Sequence, residues 1–285
     1  MSNAAFSNKR PRIGVFDSGI GGLSVLRAVA RRLPGASLAY IADSRHTPWG
    51  DRPAAWVSAR CVQLAGWLIA DGADLVLVAC NTGTTQAIAT LRARWPGQLF
   101  VGVEPGIKPA VAASRNQRVA VMATRGTLRS PRLQQLVDVH AGAAQVLQLP
   151  CPGLAEAIEA AGDDPAPLDA RLDALADALI ASQADTVVLG CTHYPLVAEA
   201  LRQRLGAGIT LVDTADAVAR RVQSLLGACP ATGGPSWPAT SPALYSTANP
   251  AALERAARRW LGGSPVACAL TLPDAPDDRV NPPLP

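Results

Sequence analysis

Aromatic residues make up only 4% of the 285-residue chain, and charged residues only 17%. The formal charge of +4 is modest, and the arginines are scattered rather than gathered into a stripe interleaved with aromatics, so nucleic acid is not an expected partner. Apolar runs are too short and too often interrupted to cross a bilayer, and no membrane association is expected. The six cysteines are Cys61, Cys80, Cys151, Cys191, Cys229 and Cys268. They include no Cys-x-x-Cys pair and no Cys/His cluster, so no metal site is expected. Residues 1–12 lack the apolar centre of an export signal and read as a flexible leader; a reducing, cytoplasmic compartment with free thiols is expected. Against these absences stands a hydrophobic content of 49%, enough for one large α/β domain or two ordinary ones.

Two stretches organise the rest. Asp74-Leu75-Val76-Leu77-Val78-Ala79-Cys80-Asn81-Thr82 and Asp185-Thr186-Val187-Val188-Leu189-Gly190-Cys191-Thr192-His193 each run from an Asp through an apolar strand into a cysteine. Small polar residues and a helical pattern follow both. Around them strands alternate with helices along the chain, which predicts parallel sheets flanked by helices, with sites at the carboxyl ends of the strands. The strand Ile13–Phe16 ends in Asp17-Ser18-Gly19-Ile20-Gly21-Gly22, and a second cycle at Arg118–Ala123 places Thr124 where Ser18 falls. The glycine-rich turn is a poor phosphate cradle, because an Asp opens it and no P-loop Lys follows. Further helices are predicted at 54–70, 84–93, 130–137, 168–182, 215–226 and 250–261, and a loop at 230–242.

The chemistry these residues suggest is proton transfer between two thiols. A thiolate on one side of a substrate carbon removes a proton, and a thiol on the other side returns one. Free cysteine titrates near ~8.5, so donors or cations must favour the thiolate. Asn81-Thr82 and Thr192-His193 supply donors directly after each sulfur, and a helix N-terminus is expected at both. His193 is placed to support Cys191, Asp17 to act near Cys80, and Glu159 to act from the other lobe. The plainer alternatives are a packed core thiol for either cysteine, an N-cap for Asp17, and simple packing for Trp49. Cys61, Cys151, Cys229 and Cys268 read as structural, and His46 and His140 as surface residues.

The set Val15-Phe16-Asp17-Ser18-Gly19-Ile20-Gly21-Gly22, Asp43 through Pro48-Trp49-Gly50, Ala79-Cys80-Asn81-Thr82 and Gly190-Cys191-Thr192-His193-Tyr194-Pro195 resembles the bacterial glutamate racemases, in order over about residues 13–262. That resemblance implies a cofactor-independent racemase of L- and D-glutamate that supplies D-glutamate to peptidoglycan, commonly a homodimer. It implies two pseudo-symmetric three-layer α/β domains with mainly parallel sheets and the active site in the cleft between them. We expect residues 13–106 plus 213–268 to form one domain, 107–212 the other, and 269–285 a loose tail. By position, Cys80 and Cys191 match the catalytic thiols, with Cys80 acting on D-glutamate and Cys191 on L-glutamate. Asp17, His193 and Glu159 match the assisting groups. Asp17, Ser18, Trp49, Gly50, Asn81, Thr82, Thr192 and His193 match substrate-binding positions, as do Thr124 and Thr127. The chain departs from the family with Trp49 where Tyr is usual, Gly83 where Ala is usual, and Glu156 where Pro is frequent. The alternatives are an aspartate racemase, a one-cysteine isomerase or decarboxylase of the same superfamily, and a non-catalytic relative that binds an acidic ligand. Thr192-His193 favours glutamate over aspartate.

Overall fold

The computed structural model describes residues 10–161, 166–227 and 241–274. Its strands are β1 (Arg12–Asp17), β2 (Ser37–Ala42), β3 (Leu75–Val78), β4 (Leu99–Gly102), β5 (Arg118–Ala123), β6 (Gln145–Pro150), β7 (Thr186–Leu189), β8 (Thr210–Val212), β9 (Ala243–Ser246) and β10 (Ala267–Ala269). They form two sheets, ordered β10-β9-β2-β1-β3-β4 and β6-β5-β7-β8. Every ladder is parallel. The unit β2-β1-β3-β4 repeats as β6-β5-β7-β8, so the duplicated cysteine strands β3 and β7 hold the same place in their sheets. Strands β9 and β10, from the far end of the chain, extend the first sheet.

The central strands are apolar on both faces, as helices on both sides of a parallel sheet demand. Leu75–Val78 and Thr186–Leu189 are buried throughout. The helix Ala54–Ala70 buries Val57, Arg60, Cys61, Leu64 and Leu68 along one stripe. Gly14 lets that helix lie close, since a Cβ there would stand 2.9 Å from Leu68 Cβ. The largest apolar cluster joins the two sheets, running from Leu23 and Leu26 through Leu154 and Leu189 to Val218.

The Asp that precedes each cysteine strand is an anchor. The Asp74 carboxylate accepts from the Arg12 N–H at 2.7 Å. Asp185 accepts from Ser114 Oγ at 2.6 Å, from the N–H groups of Arg115 and Asn116 at 2.7 and 2.9 Å, and from Thr186 Oγ1 at 3.0 Å. Together these donors hold its carboxyl at about 2, well below its ordinary range and against the opposing effect of desolvation.

Several expectations change. The helix after Cys80 starts at Asn81 rather than Thr84, with Cys80 itself as N-cap. No such helix follows Cys191: a 3₁₀ turn occupies Tyr194–Val197 before the helix Ala198–Leu205. The duplication therefore fails just past the second sulfur, where Pro195 stands in the first turn. The helices Ile107–Ala113 and Arg125–Leu128 and strand β10 were not foreseen. The chain stays packed beyond residue 269, with Leu270 buried and Leu272 against the core of the first lobe. His46 is 12% exposed and lies 3.1 Å from Asp43, so it is not a surface residue. Cys61 and Cys151 are buried, but Cys268 is exposed on β10 and packs no core. Cys229, most of the 230–242 loop, residues 1–9 and residues 275–285 lie outside the described residues.

Candidate active site

Both sulfurs sit at carboxyl ends of matching strands. Cys80 is 5% exposed and Cys191 is 8% exposed. Around Cys80 the neighbours come from β1 and its turn. Ser18 Oγ is 3.8 Å from Cys80 Sγ, and the wholly buried Asp17 lies beside the thiol. Asp17 Oδ2 accepts from the Gly22 N–H at 2.8 Å, which fixes the turn; Oδ1 stands 3.5 Å from Ser18 Oγ. Burial raises the Asp17 carboxyl, against the pull of His193 and the Gly22 N–H. Burial also pushes the Cys80 thiol well up, and the Asp17 charge adds to it, while the Gly83 N–H at the helix N-terminus works the other way. Two acidic groups this close oppose each other's ionisation.

Around Cys191 the arrangement is different. His193 Nδ1 lies 3.7 Å from Cys191 Sγ, and its Nε2 lies 2.7 Å from Glu159 Oε1. Burial lowers the His193 pKa, but the contacts with Cys191 and Glu159 outweigh it and hold the imidazole well above its ordinary value. A cationic, fully buried imidazolium next to the sulfur is the charge a thiolate needs. Glu159, whose matched position sits in a weakly matching stretch of sequence, is thus brought into the site, and it also accepts from the Ile20 N–H at 2.8 Å.

The turn after β1 threads between the two halves, and this explains its glycines. A Cβ on Gly21 would lie 2.5 Å from His193 Nδ1, and one on Gly19 would overlap Glu159 Oε1. The glycines serve close approach of backbone to the His193 and Glu159 side chains. A third cluster consists of hydroxyls: Thr82 Oγ1 is 2.9 Å from Thr124 Oγ1 and 3.3 Å from Thr127 Oγ1. Thr124 also caps the short helix Arg125–Leu128, accepting from the Thr127 N–H at 3.2 Å. Gly50 abuts this cluster, where its carbonyl accepts from the Gly126 N–H at 2.9 Å.

The remaining expected residues are less free. Asn81 donates from Nδ2 to the Val103 carbonyl at 3.3 Å, and the Thr192 carbonyl accepts from Ser24 Oγ at 3.1 Å. Trp49 is 1% exposed and packs against Phe16 and Trp56 at ring separations of 6.5 and 6.3 Å. Sequence reasoning missed Ser24 and Tyr40; the Tyr40 hydroxyl donates to the Gly19 carbonyl at 2.5 Å and braces the turn. Neither shows a local motif, since both act over long stretches of chain. The two buried thiols outside the site are held neutral: burial pushes Cys61 well up and Cys151 to about 12. Among the described residues no group of His, Cys, Asp and Glu is arranged to hold a metal ion, and no helix is long and apolar enough to cross a membrane.

Residues 14–222 match the family model for Asp/Glu/hydantoin racemases. The glutamate racemase of Pseudomonas paraeruginosa is 44% identical over 245 residues, covering 85% of this chain and 91% of that protein. That of Ralstonia nicotianae is 43% identical over 266 residues, covering 92% and 94%. Among solved structures, glutamate racemase isoform RacE1 of Bacillus anthracis superposes with a TM-score of 0.82 at 28% identity, covering 93% of this chain and 99% of that one. The Escherichia coli glutamate racemase, solved with L-glutamate and the activator UDP-MurNAc-Ala, gives 0.76 at 34% identity, covering 88% and 96%. A duplicated strand-to-cysteine site on this fold, with relatives aligned along nearly its whole length, makes the chain a member of the Asp/Glu/hydantoin racemase family, among its glutamate racemases.

Proposed function

We propose that this protein interconverts L- and D-glutamate by two-base proton transfer at Cα, with Cys80 and Cys191 as the two bases. The observation that carries the reading is the pairing of two buried sulfurs at equivalent strand ends, each with its own polar partner: Asp17 for Cys80, and the His193–Glu159 pair for Cys191. In the L-to-D direction the Cys191 thiolate takes the Cα proton, and the Cys80 thiol delivers its proton to the opposite face. Two protons have moved, and the enzyme is left with Cys191 protonated and Cys80 ionised. The reverse reaction runs the same path backwards. His193 stabilises charge on Cys191, Glu159 keeps His193 cationic, and Asp17 governs the proton at Cys80. No step in this scheme calls for a cofactor.

Substrate contacts are proposed at Ser18, Trp49, Gly50, Asn81, Thr82, Thr124, Thr127, Thr192 and His193. The three-threonine cluster offers hydroxyls to a carboxylate, and the backbone N–H groups at the start of the helix Asn81–Arg94 add to them. The division into 13–106 plus 213–268 and 107–212 is supported by the sheets, since β9 joins the first and β8 closes the second. A cytoplasmic homodimer supplying D-glutamate to peptidoglycan completes the proposal, on the likeness to the family.

The test is circular dichroism of L- and D-glutamate, beside L- and D-aspartate, with wild type and with Cys80→Ser and Cys191→Ser. We expect both glutamate signals to decay with wild type, both aspartate signals to persist, and each variant to lose about 10²–10⁴-fold in turnover. Racemisation surviving in either variant would remove the two-base scheme; decay of aspartate alone would move the substrate.

A further inference from the structure

Asp43 follows β2 directly and is wholly buried, and its backbone N–H donates to the Asp17 carbonyl at 3.0 Å. Its carboxylate is crowded with partners. Arg60 donates to it twice, from Nε at 3.0 Å and from Nη2 at 2.7 Å. Thr247, just past β9, donates from Oγ1 at 2.9 Å, and His46 Nδ1 lies at 3.1 Å. Arg60 is itself 1% exposed, and its Nη1 donates to Gln63 Oε1 at 2.9 Å and to the Pro273 carbonyl at 2.7 Å. The helix Ala54–Ala70, the end of β9 and the segment at Pro273 thus converge on one carboxylate. A buried ion pair adds little net stability over apolar packing; a bidentate Arg–carboxylate fork supplies fixed geometry.

What it fixes is the stretch from Asp43 to Gly50. The His46 N–H turns back to the Asp43 carbonyl at 3.0 Å, and the Gly50 carbonyl meets the Gly126 N–H across the cleft. Between these points lie Thr47 Oγ1 and Trp49 Nε1. They are two of the four buried side-chain polar atoms without a hydrogen-bond partner among the described residues. Buried polar atoms are ordinarily satisfied, so two orphans in one short loop are candidates for hydrogen bonds to a ligand.

We propose that Arg60 is a positioning residue for substrate binding: through Asp43 it holds the loop 43–50 so that Thr47, Trp49 and Gly50 meet glutamate and the opposite lobe. It touches no reacting atom. The inference rests on the glutamate reading above. The loop carries none of the proton-transfer groups, so disturbing it weakens binding and leaves the chemical step in place.

Steady-state racemisation of both enantiomers by full-length wild type, Arg60→Lys and Thr247→Val tests this. Arg60→Lys keeps the charge but loses the fork; Thr247→Val removes one donor with little change of shape. We expect KM to rise about tenfold in Arg60→Lys, with kcat within about threefold of wild type and the pH profile of kcat unmoved. Thr247→Val shifts KM the same way by a smaller factor. A merely structural pair would instead lower kcat with the folded fraction and leave KM unchanged, and that result overturns the proposal, as does a displaced kcat pH profile. If Arg60→Lys does not fold, an unchanged KM in Thr247→Val is decisive against it. Wild type inactive on glutamate overturns the underlying reading; active wild type with unmoved KM in the variants overturns only this inference.

Discussion

Trp49 and Gly83, two of the three departures the sequence shows from its family, are one feature in space. A Cβ on Gly83 would lie 3.0 Å from Trp49 Cζ3, and 3.3 Å from both Cys61 Sγ and Val78 Cγ1. The larger indole occupies room that an alanine would need, so the missing methyl and the added ring compensate. Gly83→Ala in this chain gains up to about 1 kcal/mol of helix propensity but overpacks a buried site at a cost of about 1–3 kcal/mol. The expected net loss is about 1 kcal/mol in a denaturant melt. In a Trp49→Tyr background the same change should be neutral or stabilising, and equal effects in both backgrounds would dissolve the link. Other residues read well from local pattern alone. Cys80, Cys191 and His193 stood out because their motifs are contiguous, and Asp17 because it opens a turn. Arg60 and Tyr40 did not, because their partners, Asp43 and the Gly19 carbonyl, lie 17 and 21 positions away. No periodicity carries that information.

Elements with strong stops were legible to the residue. The helices Ala54–Ala70, Ala215–Leu226 and Pro250–Leu261 and the strand Ala243–Ser246 fall where periodicity and flanking Pro or Gly place them. The helix Ile107–Ala113 was obscured by Pro105-Gly106 before it and by Pro109 within its first turn, where the missing N–H has no partner to lose. Arg125–Leu128 is a single turn, too short to show a period. The recurring Asp before each cysteine strand turned out to anchor those elements rather than to serve chemistry. Asp185 binds four donors where Asp74 accepts from the Arg12 N–H, so the second anchor is the stronger. Asp185→Ala should destabilise the fold on the order of 2 kcal/mol near neutral pH. The sign with pH follows from its lowered pKa. The folded carboxyl titrates at about 2 against an ordinary 3.8, so its stabilisation is complete above about 4 and is lost as pH falls toward about 2. Wild type and variant should therefore converge in urea midpoint on acidification through that window, and a constant gap would mean the carboxylate charge is not what holds the element.

At the scale of the whole molecule, the two lobes meet through polar contacts over the site. The Gly50 carbonyl accepts from Gly126, the Ile20 N–H donates to Glu159, and Ser24 Oγ donates to the Thr192 carbonyl. Both cysteines are nearly covered, so substrate is expected to reach them when the lobes part. The cross-cleft contacts just named are polar, whereas the main apolar cluster includes residues of both lobes and holds them together. Such an opening is expected to separate the lobes where they meet through hydrogen bonds. The Gly126 amide reports this motion directly, because its acceptor lies on the other lobe. In free protein it should exchange with solvent at least about tenfold faster than amides inside β5 and β7, which open only with the fold. Saturating D-glutamate should slow Gly126 by a similar factor, bridging the lobes at the Thr82–Thr124–Thr127 cluster while leaving the strand amides unchanged. Slow exchange at Gly126 without ligand, equal to that of the strands, would mean the lobes do not part there and that substrate enters by another route.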